Sequence, residues 1–142
     1  MAVQPPGKTV FELVSPERLV LSRPVDMVVV PGREGLFAAL IVHAPFIAAL
    51  KPGVIDVWDD GAITERIFVG GGFAEVTPER CVVLAETATP VAELDRTHAL
   101  ERLEELKNVA AVARDSGGAS SHILAELELN QAIVEAVDQK VA

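Results

Sequence analysis

The 142-residue chain has one cysteine, Cys81, and no tyrosine. A lone thiol cannot close an internal disulfide, which fits a reducing compartment and leaves the fold to packing. Followed by Val82, Val83 and Leu84, it reads as a buried strand thiol rather than a reactive one. Aromatics make up only 4% of the residues while 50% are hydrophobic, so the core must be built from Val, Leu, Ile and Ala. Basic residues are also scarce: 12 against 21 acidic, a net charge of −9. Such a surface is poor for nucleic acid or anionic lipid, and no nucleic-acid partner is expected. The longest charge-free run, Leu36–Leu50, holds His43 and Pro45 and falls short of the roughly 20 residues a spanning helix needs. No direct membrane insertion is expected. The start, Met1–Lys8, has no basic stretch followed by an apolar one, so no signal peptide is expected either. These absences together point to a soluble protein of the cytoplasm or an equivalent space.

What is present changes character near residue 93. Before it, short apolar runs alternate with turn signals. Val10, Leu13 and Val14 start a strand that Ser15-Pro16-Glu17 turns. Leu19–Leu21 begins a second, which Arg23-Pro24 demotes to an edge or a bend. Met27–Val30 reads as a fully buried strand and Pro31–Gly35 as a loop, with apolar Leu36–Val42 after it. Val42–Gly53, bounded by Pro45 and Pro52, reads as a short edge segment or corner, because proline gives the ladder no donor. Asp59-Asp60-Gly61 joins Val54–Trp58 to Ala62–Val69 as a hairpin. Gly70-Gly71-Gly72 could in principle cradle phosphate, but a strand follows it where a phosphate loop requires a helix, so a bulge or corner is favoured. Phe73–Val76 and Arg80–Glu86 make a last hairpin. Many short strands with no helical period between them predict a β-sandwich or flattened barrel.

From residue 94 the period becomes helical. Leu100, Leu103, Leu106, Val109 or Ala110, and Ala113 form one stripe, and Asp95 is placed to cap its start. Glu104–Lys107 and Arg102–Glu105 are opposite charges at helical spacing. Asp115–Ser121 breaks the helix, and a second one, roughly His122–Val141, carries an alanine-rich face. The expectation is a mainly β domain over residues 1–93, followed by an antiparallel two-helix hairpin over 94–142.

The wording of several segments adds to this. His43-Ala44-Pro45 with Ala48-Ala49-Leu50-Lys51-Pro52-Gly53 resembles the epsilon subunit of rotary F-type ATP synthases. So do Pro31–Gly35 before it and Val69–Pro78 with Val82–Ala88 after it, in the family's order. The resemblance implies a non-catalytic rotor subunit of the central stalk, which couples the gamma subunit to the membrane c-ring. It implies a peripheral place on the cytoplasmic side of the bacterial inner membrane. Arg33, Glu34, Gly35 and Leu36 then match the c-ring side, and His43, Ala44 and Pro45 the gamma side. The hairpin matches a regulatory element that, in the family, swings between a folded form and one reaching into the alpha/beta catalytic ring. Family members that inhibit strongly carry several basic residues on the second helix. Here it holds Glu126, Glu128, Glu135 and Asp138 with Lys140 alone, which implies a weak inhibitor.

Two departures matter. Ile41-Val42 stands where the family usually has Pro-Gly before His-Ala-Pro, and Leu36-Phe37 is more apolar than usual, so ring contact should be more apolar too. At Leu94, Asp95, His98 and Ala99 the family's ATP-binding wording is degenerate, because His98 replaces an arginine. ATP binding is therefore expected to be weak or absent, and no cofactor is expected.

No enzyme signature competes strongly. His43, His98 and His122 belong to no compact ligand set, so no metal site is expected. A small β-sandwich enzyme, an isomerase or hydrolase using His43 with Glu34 or Glu75, is the rival reading, and a free-standing adaptor domain is the blander one.

Overall fold

A computed structural model describes residues 7–39, 45–114, 117–118 and 120–139. The strands are β1 (Thr9–Ser15), β2 (Arg18–Val25), β3 (Met27–Gly32), β4 (Gly35–Ala39), β5 (Phe46–Leu50), β6 (Gly53–Asp59), β7 (Ala62–Val69), β8 (Gly72–Val76), β9 (Arg80–Ala85) and β10 (Ala88–Pro90). A single 3-10 turn, Val91–Glu93, follows, then α1 (Arg96–Arg114) and α2 (Ser121–Asp138). The chain divides into two compact units, Met1–Val91 and Ala92–Ala142.

In the first unit the strands lie in the order β10-β7-β6-β3-β5-β8-β9-β1-β2, with β4 beside β3. One face of each long strand feeds the core. Phe11 and Leu13 of β1, Val28 and Val30 of β3, Ile55 and Val57 of β6, and Cys81, Val83 and Ala85 of β9 are all buried in it. Period-two alternation alone brings these side chains to one side of the sheet. The two ends of the order are drawn together by side chains. Arg23 of β2 donates from Nη2 to Thr64 Oγ1 of β7 at 2.8 Å, and its Nη1 lies 3.7 Å from Glu65 Oε1. The result is the expected flattened barrel, with β2 at the end where Pro24 costs no central ladder bond.

Positive φ shapes the β6–β7 turn and the entry to β8. Asp60 (φ 52°) and Gly61 (φ 79°) make the β6–β7 hairpin turn, a conformation that aspartate tolerates and glycine favours. Gly72 (φ 140°) lets β8 start against β9: a Cβ there would lie 2.0 Å from the Leu84 carbonyl oxygen. Gly70 and Gly71 bridge to Thr87 and Glu86 by backbone hydrogen bonds. The glycine cluster is thus a strand-to-strand corner leading into β8, as its context suggested.

In the second unit, the His98 N–H donates to Asp95 Oδ1 at 3.0 Å, so Asp95 caps α1. Ser120 caps α2 by accepting from the Ile123 N–H. Ala99, Leu103 and Val134 form the buried seam, with Leu127 and Ile133 packed against it. Arg96 grips Asp138 with two hydrogen bonds, Nε to Oδ1 at 2.7 Å and Nη2 to Oδ2 at 3.2 Å.

Several sequence expectations need correction. β3 does not stop before a five-residue loop; Pro31 and Gly32 continue it, buried, and only Arg33 and Glu34 make the turn to β4. Nor is the β3 run buried on both sides, since Met27 and Val29 are half-exposed on the face opposite the core. β5 pairs with β8 along its whole length but, among the described residues, meets β3 only at Gly32 and Leu50, so most of it keeps an open side, and Pro45 and Pro52 fall just outside its ends, where they remove no donor from its ladder. β1 pairs with β9 in parallel, a long-range neighbour that local hairpin signals cannot encode. Leu100 is exposed, and Ala99 takes its place in the buried stripe. α2 ends at Asp138, and Val141 lies outside the described residues.

Candidate partner-binding surfaces

The β3–β4 turn carries one of the most exposed apolar side chains among the described residues of the first unit. Gly32 and Gly35 pair directly across it, and a Cβ on Gly32 would lie 2.7 Å from the Gly35 carbonyl oxygen. That closeness holds the turn tight and leaves Leu36 projecting, 70% exposed. The turn borders an open cleft of about 560 Å³, whose other wall is β5 with Phe46 and Ile47. The Phe37 and Phe46 rings meet edge to face at 5.5 Å across its floor. Arg33, Glu34, Gly35 and Leu36, matched in sequence to the c-ring side, therefore sit together at one rim. Pro45, matched to the gamma side, is exposed at the start of the opposite wall. His43 and Ala44 lie outside the described residues.

A second surface was not visible from sequence. The pairing register places Ala49, Phe73, Leu84, Val14 and Leu19 side by side on β5, β8, β9, β1 and β2. They share the face that points away from the core. Leu19, Phe73 and Leu84 are each more than half exposed, at 57%, 56% and 56%. Each residue alone is an unremarked surface hydrophobe, and only the register turns the five into a row. Apolar patches of this kind mark protein contacts more often than they occur by chance on a free surface. Glu12, Glu75 and Glu86 lie along its border, and Glu12 is held by Arg80 at 3.0 Å.

The other candidate residues are accounted for by structure. Leu94 is half-buried and Ala99 is buried in the helical seam; Asp95 is occupied as a cap, and His98 is exposed. Asp26, Asp59 and Asp60 converge within 4.8 Å, but the Lys8 ammonium bonds Asp59 and lies 3.3 Å from Asp26. The Asp60 N–H donates to Asp26 at 2.8 Å. These contacts hold the Asp26 carboxyl below, and the Lys8 ammonium above, their ordinary pKa values; the leading causes are the Asp60 backbone hydrogen bond and the Asp59 hydrogen bond. Glu34 lines the cleft and Glu75 stands on β8 beside Ile47, both exposed. Burial pushes the Cys81 thiol up to about 12, so it is a core group and no nucleophile.

A sequence-family model described as the ATP synthase delta/epsilon chain β-sandwich domain matches residues 8–91. The chain belongs to this family. An ATP synthase epsilon chain of Rhodospirillum rubrum is 47% identical over 122 residues, covering 83% of this chain and 91% of that one. The epsilon chain of Paramagnetospirillum magneticum is 54% identical over 108 residues, covering 76% of this chain and 78% of its own length. Among solved structures, a chain of the Euglena gracilis mitochondrial ATP synthase, determined with OSCP, F1 and c-ring, superposes with a TM-score of 0.73. It is 22% identical and covers 94% of this chain and 81% of its own, which supports the shared fold. A chain from the central stalk and c-ring of the Tetrahymena thermophila enzyme gives a TM-score of 0.51 at 14% identity, covering 61% of this chain and 69% of its own. As an epsilon-family chain it is a subunit of the ATP synthase.

Proposed function

We propose that the sandwich is a rotor coupler of the central stalk, holding the c-ring through the Arg33–Leu36 turn and the gamma subunit through the β5 side. The observation that carries this is the placement of the two surfaces. The Leu36 turn and the exposed Ile47 (71%) face one cleft, while the row from Ala49 to Leu19 runs on from the same strand β5. Torque passed between two partners requires both to bear on one stiff body, and a close-packed β core is such a body. Burying side chains the size of Leu36 and Ile47 is worth roughly 1.5–3 kcal/mol each, ample for a specific contact. The chain takes no part in bond making on this reading; the catalytic alpha/beta ring does, and the hairpin is the segment that reaches it. The complex sits peripherally on the cytoplasmic face of the bacterial inner membrane. The test is reconstitution with substituted chains. Leu36→Glu should leave gamma bound and weaken ATP-driven proton pumping several-fold. Leu84→Glu should lower the amount of chain that co-purifies with gamma. If both variants assemble and pump at the wild-type level, the proposed surfaces are wrong.

A further inference from the structure

The seam face of α2 carries one buried polar residue among the described residues. Asn130 is 7% exposed, the one buried polar side chain described in the second unit. It stands three residues after Leu127 and four before Val134, so it shares the face on which both pack toward the seam. Its Nδ2 donates to the Glu126 carbonyl at 2.8 Å, inside its own helix. One amide donor is thus used within α2 rather than toward α1. A polar residue at such a position sets pairing at a cost in stability, and the apolar seam around it is small: Ala99, Leu103 and Val134, with Leu127 and Ile133 at its border.

Beyond that seam, charge pairs also join the helices. The Arg96–Asp138 pair ties the start of α1 to the end of α2. Farther along, Arg102 donates to Glu126 at 2.8 Å and to Glu105 of its own helix at 3.0 Å. His122 lies 3.6 Å from the same Glu126 carboxylate. Arg96, Asp138 and Arg102 are well exposed, so these pairs are screened by salt and exchange with water.

We propose that Asn130 is the element that keeps the hairpin openable, and that the two arginine pairs are its salt-sensitive latches. A leucine in its place would seal the seam with a side chain of similar size and hold α1 and α2 together. This deepens the rotor reading by assigning the hairpin's freedom to one residue, but it is tested independently of any partner.

The measurement is amide hydrogen exchange on the full chain, comparing helix amides with sandwich amides in the same sample. Asn130→Leu should slow exchange around Leu103 and Leu127–Val134 about tenfold, or about 1.4 kcal/mol, while β-strand amides keep their rates. Leucine also favours helix more than asparagine does, so Asn108→Leu, on the exposed face of α1, serves as the propensity control. It should slow exchange by no more than about twofold. In the wild type, raising salt from low to molar should speed helix exchange about threefold. An Arg96→Ala, Arg102→Ala double variant should be faster at low salt and lose that dependence. Equal effects of Asn130→Leu and Asn108→Leu, or unchanged exchange in Asn130→Leu, would overturn the role of Asn130. A wild-type rate indifferent to salt would overturn the latches. Should Asn130→Leu fail to fold, Asn130→Val carries the same comparison.

Discussion

At the scale of single residues, two buried groups on β strands make opposite demands. Thr9 is 1% exposed and follows the inward parity of Phe11 and Leu13, and its hydroxyl has no hydrogen-bond partner among the described residues. A hydroxyl taken out of water without compensation costs about 1–3 kcal/mol. Thr9→Val keeps the shape and removes the cost, so unfolding in denaturant should show a gain of about 1 kcal/mol with an unchanged slope. A loss of stability would mean that a water or another group satisfies the hydroxyl. Cys81 carries a pH signature instead. Its thiol is held up to about 12 in the fold against an ordinary value of 9.0, because burial disfavours the thiolate. Between those values the unfolded chain has released its proton and the folded chain has kept it. Stability should therefore be unaffected by this group below pH 9 and fall above it, with a slope of up to about 1.4 kcal/mol per pH unit. A Cys81→Ala chain should lose that slope. The folded wild type should also resist thiol reagents near neutral pH.

At the scale of elements, the sequence disclosed what is local and concealed what is long-range. The helix starts at Asp95 and the Asp60-Gly61 hairpin were legible because each is fixed within a few residues of itself. The Pro24 edge was legible for the same reason. β5 does keep one side largely unpaired, as expected of an edge, but the two prolines only flank the strand and do not cause this. The parallel β1–β9 pair joins residues seventy positions apart, such as Val10 and Arg80, and no local signal marks it. The apolar row from Ala49 to Leu19 was hidden for that reason, since its members come from five separate strands. The turn at Leu36 was visible because its residues are consecutive. The start of α1 supports a prediction of its own. Asp95 is already engaged by the His98 N–H, and His98 offers an imidazole ring where the resemblance expects a forked guanidinium. Losing one charge-assisted bidentate contact reduces affinity roughly tenfold to hundredfold. Calorimetry on the isolated chain should show weak ATP binding or none, and His98→Arg should strengthen it. A micromolar wild-type affinity, or no gain from His98→Arg, would refute this account.

At the scale of the whole molecule, the two compact units divide at Val91 and Ala92, and each of the proposed coupling surfaces lies in the first. A chain ending at Val91 should therefore still bind gamma and support coupled pumping. The hairpin contributes something else, and its charge bears on what. Between Ser121 and Asp138, α2 holds Glu126, Glu128, Glu135 and Asp138 and no lysine or arginine. In the closed hairpin Glu126 is paired with Arg102 and Asp138 with Arg96. If the segment it approaches is acidic, as the basic second helices of strongly inhibiting family members imply, opening would break both pairs and set like charges against each other. An exposed pair is worth about 0–1 kcal/mol, and exchanging attraction for repulsion roughly doubles the change at each site. Two or three such sites lower the inserted state by about 2–4 kcal/mol, on the order of thirtyfold or more in population. Hydrolysis of ATP by the complex should thus barely change when the full chain is replaced by one ending near residue 116. A several-fold rise on removing α2 would show that it inhibits despite its acids, through contacts that the charge argument does not contain.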